Sequence, residues 1–150
     1  LIDGQNRFLF ASTAEEMQVR TAGRLMTIRG HGKVTFAHLK DGSGQIQVYL
    51  KQDAVGAAQY DLVRRLAVGD FVGVEGHLFR TRTGELTIWG RTLALLTKAL
   101  RPLPEKWHGL QDVEIRYRRR YLDLISNPKV LETFKKRSVM VSKMGPFWKA

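Results

Sequence analysis

Residues 33–51 read KVTFAHLKDGSGQIQVYLK, and two short runs in which apolar and polar residues alternate, VTFAHLK and QIQVYLK, flank Asp41-Gly42-Ser43-Gly44. A period of two broken by an Asp/Gly joint predicts an antiparallel hairpin. Successive side chains of a strand point to opposite faces, so the alternation also sorts the residues. Ala37 and Leu39 fall on one side of the first strand, with Val34, Phe36 and His38 on the other. In the second, Ile46, Val48 and Leu50 oppose Gln45, Gln47 and Tyr49. Phe36 and Gln47 therefore belong to the face turned away from the core.

Working outward, QVRTAGRLMTIRG (18–30) is β-branched, apolar and closed by glycine, which predicts a strand before the hairpin. After it, Val55, Tyr60, Leu62, Val63 and Leu66 sit at helical spacing between Ala54 and Leu66, and Gly69-Asp70 restarts the chain. FVGVEGHLFRT (71–81) and ELTIWGRTLALLTKA (85–99), joined at Thr83-Gly84, complete the set. Five strands with one helix between the third and fourth predict a mainly β chain, a five-stranded OB-fold barrel whose second and third strands offer a face for oligonucleotides or sugars. In the last strand Leu86 and Ile88 share the apolar face, leaving Glu85, Thr87 and Trp89 outside. An aromatic plane, an amide and a carboxylate on one surface can stack a base and hydrogen-bond its edge. Other readings stay open on pattern alone. Phe36 could instead cover a hydrophobic minicore under a loop, Glu85 is most simply a solvated residue after Gly84, and Gln47 is no more specific.

The 150 residues, 43% hydrophobic, suffice for one core with an appendage and fall short of a typical two-domain enzyme. Lys and Arg number 25 against 14 Asp and Glu, a formal charge of +11 that favours a polyanionic partner, nucleic acid ahead of an anionic membrane surface. The plainer alternative is a soluble protein that is simply basic. The absence of cysteine excludes disulfides and thiolate metal sites from these residues and makes a reducing, cytoplasmic setting the default. No metal site is expected at His31, His38, His77 or His108, which lack ligand spacing. GHGK at 30–33 is too short for a phosphate loop and reads as a strand turn. No run of about 18 apolar residues exists to span a bilayer. LIDGQNRFLFASTAEE lacks a signal-peptide pattern and starts without Met, in keeping with an internal boundary.

The basic excess concentrates late: residues 1–100 hold 13 Lys+Arg and 9 Asp+Glu, and residues 101–150 hold 12 and 5. The prolines of RPLPEKWHGL (101–110) stiffen a connector. From Asp112 to Ile125 a single helix is expected, with Val113, Tyr117, Tyr121 and Leu124 on one stripe and Asp112 and Glu114 at its positive end. Arg116, Arg118, Arg119 and Arg120 populate the rest of that surface. They are candidate phosphate contacts, as is Lys33, or else a solvated face or a packing surface for a further domain. Asn127-Pro128 reads as an N-cap with proline at the first helical position, opening a helix through LETFKKRSVMVSKM that Gly145-Pro146 would end.

AGRLMTIRGHGKVTFAHLKDGSGQIQVYL, VGDFVGVEGHLFRTRTGELTI, LLTKALRPLPEKWHGLQD and RYRRRYLDLISNP resemble the N-terminal region of bacterial-type lysyl-tRNA synthetases, class II enzymes, over roughly residues 18–142. PLPEKWHGL and RYRRRYLDL are the specific stretches, since no OB-fold requires them. The resemblance implies an anticodon-binding domain, with a larger C-terminal domain that activates lysine with ATP and Mg²⁺. It implies a lysine tRNA with a uridine-rich anticodon as partner, a homodimeric complete enzyme and no membrane. The family's anticodon contacts match Arg29, Phe36, Gln47 and Glu85: Phe36 on the central uridine, Arg29 and Gln47 on its edge or backbone, Glu85 on a flanking base. The expected organisation is a lead segment (1–17), the OB-fold domain (18–97), a connector (98–110), a helical junction reaching the start of motif 1 (111–144) and a tail that departs from the family (145–150). No catalytic residue and no cofactor site is expected here, and the chain alone is not expected to form lysyl-adenylate. Two alternatives compete: an interaction or dimerisation fragment binding a synthetase subunit through the C-terminal helices, and a general single-stranded nucleic-acid-binding OB domain.

Overall fold

The computed structural model describes residues 17–104, 110 and 112–144. The chain divides into two compact units between Pro102 and Leu103. The lead segment before Met17, most of PLPEKWHGL, and the tail with Gly145-Pro146 lie outside the described residues.

The first unit contains β1 (Gln18–His31), β2 (Val34–Lys40), β3 (Gln45–Lys51), α1 (Gln52–Val55), α2 (Ala57–Arg65), β4 (Phe71–Arg80) and β5 (Leu86–Thr97). Each strand pairs with two others, and the order β1-β2-β3-β5-β4 closes on itself as a barrel. β1 is long enough to pair along one half with β4 and along the other with β2. A register shift between Leu25 and Thr27 lies where it turns from one partner to the other. The β2–β3 hairpin forms at the expected Asp/Gly joint. Asp41 Oδ1 accepts from the Ser43 hydroxyl (2.7 Å) and from the Ser43 and Gly44 amides (2.8 and 2.9 Å), and these bonds hold the Asp41 carboxyl below its usual range.

Alternation places Ala37, Leu39, Val48, Leu50 and Ile88 in the core as the sequence predicts, whereas Leu86, expected on the same face, is only half-buried and Thr87, expected outside, is fully buried. Ala37, Leu39, Val48, Leu50, Val72, Val74, Ile88 and Leu93 are buried inside the barrel with Leu25, each such side chain beyond alanine size contributing roughly 1.5–3 kcal/mol on burial. The expected single helix between the third and fourth strands is instead two, α1 and α2. Gly56, at φ 89°, takes a left-handed conformation that a helix cannot contain. The apolar residues that suggested one helix are still used: Val55, Tyr60, Val63 and Leu66 are buried and Leu62 packs against them. The Tyr60 hydroxyl reaches the buried Thr35 hydroxyl at 3.0 Å, tying α2 to β2.

Asp70 is fully buried at the start of β4. Its carboxylate accepts from the Ala67 amide (2.8 Å), Lys98 Nζ (2.7 Å) and the Ala99 amide (2.8 Å). Burial would push its pKa up, but those bonds and the Lys98 charge prevail and hold it below the ordinary value. Lys98 and Ala99, where the connector was expected to begin, are thus tied to the barrel.

The second unit contains α3 (Val113–Arg118), α4 (Arg120–Ser126) and α5 (Pro128–Met144). Asp112 caps α3, accepting from the Glu114 and Ile115 amides. The single helix expected over 112–125 is broken at Arg119 (φ −119°, ψ 55°), so Tyr121 does not continue the line of Val113 and Tyr117. α5 opens at Pro128 as predicted, although the Asn127 side-chain amide turns back to Asp123 at 3.0 Å. No helix among the described residues is long and apolar enough to cross a membrane.

Candidate nucleic-acid interface

Strand register builds the outer face of the barrel in two adjacent rows. On β1 and β2, Arg29 lies opposite Phe36 and Thr27 opposite His38. Across the hairpin, Phe36 faces Tyr49 and His38 faces Gln47. The parallel pairing of β3 with β5 sets Tyr49 against Trp89 and Gln47 against Thr87, and β4 adds His77 and Phe79. Directly opposed residues share a face, as do residues two apart on a strand. One row is therefore Arg29, Phe36, Tyr49, Trp89 and His77; its neighbour is Thr27, His38, Gln47, Thr87 and Phe79.

The first row is aromatic. Phe36 and Tyr49 have ring centroids 5.0 Å apart at 55°, and Tyr49 and Trp89 are 5.0 Å apart at 63°. His77 stacks on Trp89 at 5.7 Å and 16°, while Phe79 touches both Tyr49 and Trp89. Phe36, at the end of this band, is 37% exposed. The minicore that could have swallowed Phe36 does exist on the outer face, but Phe36 forms its rim, braced by Tyr49 and still open to solvent.

The second row, apart from Phe79, is polar and continuous. Thr27 Oγ1 lies 2.7 Å from His38 Nδ1, and His38 Nε2 lies 3.1 Å from Glu85 Oε1. Gln47 Nε2 donates to Glu85 Oε2 at 2.9 Å, and the buried Thr87 hydroxyl donates to Gln47 Oε1 at 2.7 Å. Glu85 closes the Thr81–Glu85 turn, whose Gly84 has φ 84°. Far from being a merely solvated hairpin residue, it is gripped on both carboxylate oxygens. Thr87 fixes the Gln47 amide so that its oxygen points into the row and its nitrogen toward Glu85. Phe36, Gln47 and Glu85 are thus gathered on one surface, with Arg29 opposite Phe36 in the register and exposed. Lys33 lies in the exposed turn between β1 and β2.

The helix arginines are differently placed. Asp123 is fully buried and accepts from Arg116 Nε (3.1 Å), Arg120 Nη1 (2.7 Å) and Asn127 Nδ2. Burial raises its pKa, yet the Asn127 and Arg116 bonds and the two guanidinium charges leave it below the usual value. Arg120 also lies over the rings of Tyr117 and Phe134. Arg118 pairs with Glu114 at 2.8 Å. Arg119 is exposed and makes no ion pair among the described residues.

His38, Tyr49 and Trp89 complete the surface although the sequence marked them only as outward-facing. Two of the three were within reach: counting back from the four-residue joint, Lys40 opposite Gln45 puts His38 opposite Gln47 and Phe36 opposite Tyr49. The β3–β5 pairing, between segments 40 residues apart, carries no such local marker.

A five-stranded barrel with an aromatic row beside an amide and carboxylate on its β2–β3 face has the design of an oligonucleotide-binding fold. The chain belongs to the tRNA anti-codon family, described as an OB-fold nucleic acid binding domain, which matches residues 19–96. It is also similar to the lysine–tRNA ligase of Carboxydothermus hydrogenoformans, 54% identical over 129 residues, covering 86% of this chain and 26% of the relative. The lysine–tRNA ligase of Fusobacterium nucleatum is 57% identical over 128 residues (85% and 26%). That of Staphylococcus saprophyticus is 56% identical over 130 (87% and 26%). The chain thus spans about a quarter of the length of these relatives.

Proposed function

We propose that the outer β2–β3–β5 face binds the anticodon loop of a lysine tRNA, as the anticodon-binding region of a lysine–tRNA ligase. The observation that carries this reading is the adjacency of the two rows, a solvent-open aromatic ring beside a fixed amide and carboxylate, in a chain whose relatives are named lysine–tRNA ligases. Phe36 stacks on the central uridine, Gln47 and Glu85 meet base edges, and Arg29 and Lys33 meet the backbone. Lysine activation, homodimer formation and the catalytic domain belong, on this reading, to the remainder of a longer synthetase. The connector from residue 98 and the helices α3 to α5 join the barrel to that remainder. Val113, Tyr117, Tyr121, Val139, Met140 and Met144, all exposed, are surface for it to cover.

ATP and Mg²⁺ belong, on this reading, to the C-terminal domain of the longer synthetase. The buried carboxylates of Asp70 and Asp123 are saturated by lysine, arginine, asparagine and backbone donors, and no group of three or more His, Asp or Glu among the described residues could hold a metal ion. Filter binding of the chain to lysine tRNA and to the same tRNA with a swapped anticodon tests the reading. Tighter binding of the native anticodon is expected; equal binding of both would reduce the face to a general single-strand binder.

A further inference from the structure

We propose that His38 is a positioning residue for anticodon discrimination, acting through Glu85; this rests on the reading of Glu85 as a base-contacting group. Glu85 is exposed enough to sample many rotamers, its side chain being 46% accessible. Fixing such a side chain on binding costs affinity, about two- to tenfold. Here the carboxylate is fixed beforehand, from one side by Gln47 and from the other by His38. A carboxylate only accepts, so the 3.1 Å contact requires a proton on His38 Nε2. The Thr27 hydroxyl, 2.7 Å from Nδ1, supplies what this demands: it donates to a neutral ring, and accepts from a protonated one. Thr27 is thereby compatible with a donor at Nε2 in either charge state. The ring itself is anchored, with its side chain 25% accessible and held between β1 and Glu85. The remaining lone pairs of Glu85 and the second N–H of Gln47 are left, in fixed orientation, for a ligand.

The test is a double-mutant cycle read with two synthetic RNA hairpins that differ only in the loop, one with uridines at the anticodon and one with cytidines. Discrimination is the ratio of the two affinities. His38→Ala is expected to lower it about two- to tenfold, the equivalent of one side chain that must be ordered on binding. His38→Gln, which keeps an N–H donor, is expected to restore most of it. Against a Glu85→Ala background His38→Ala should change the ratio no further, because the two act as a unit. If His38→Ala leaves discrimination unchanged while Glu85→Ala abolishes it, the positioning role is wrong and the base-reading role of Glu85 stands. If Glu85→Ala itself leaves discrimination intact, the reading of Glu85 has failed and the role of His38 falls with it. An equal loss from His38→Ala with and without Glu85 would likewise overturn the proposal, since a merely structural histidine behaves that way.

Discussion

At the scale of single residues, the outer face divides into side chains braced by their neighbours and side chains left open to solvent. Phe36 leans on Tyr49, a pairing worth about 0.5–1.5 kcal/mol, yet keeps over a third of its surface in water. Phe36→Ala should therefore lower stability modestly and weaken anticodon-loop binding by about 1–3 kcal/mol, the range of a single base–aromatic stack. Thermal unfolding beside a binding isotherm checks both parts; a large drop in melting temperature with unchanged affinity would make Phe36 a structural residue. Period two was enough to find Phe36 and Gln47, because which face a strand residue occupies is a local property. What Glu85 touches is not local. Its partners come from β2 and β3, 47 and 38 residues earlier, and the pattern around Gly84 says nothing of them.

At the scale of elements, the departures from expectation are single-residue breaks in helical runs. Spacing of apolar residues identifies which side chains turn inward, and Tyr60 and Val63 did so. It does not register one residue leaving helical angles, as Gly56 and Arg119 do. In the basic run, Arg116 on α3 and Arg120 on α4 both reach Asp123. Those two arginines hold a buried carboxylate, so Arg116→Gln or Arg120→Gln should cost the helical unit about 1–3 kcal/mol by stripping a charged hydrogen bond. Arg119→Gln should leave the helices intact. If Arg119 neutralises a phosphate, that variant alone should flatten the slope of log affinity against log salt by up to about 1, for all RNAs alike. Salt titrations of the three variants, with helicity followed by circular dichroism, distinguish the roles. A flattened slope in Arg120→Gln with unchanged helicity would return that residue to the RNA.

At the scale of the molecule, a chain of formal charge +11 places, among the described residues, one fully buried carboxylate in each of its two units. Asp70 joins the loop after α2 to the end of β5, and its carboxyl is held below the ordinary value of 3.8 despite burial. A depressed pKa in the folded state contributes stability that is fully present above the unfolded value and is lost as pH falls through the folded one. Asp70→Asn keeps the shape but removes the charge that Lys98 and two amides address. Its cost to the barrel should be about 1–3 kcal/mol and constant from pH 8 down to about 5. Around 3.8 the carboxyl takes up its proton in the unfolded chain, so the difference between the two proteins should shrink from there until pH has fallen past the lower folded value. Urea unfolding of both proteins at a series of pH values measures that difference directly, and other groups that titrate alike in both cancel from it. A gap that persisted undiminished at pH 2 would mean that the site uses the carboxylate's shape and hydrogen bonding rather than its charge, and that Lys98 is incidental to holding the end of β5 on the barrel.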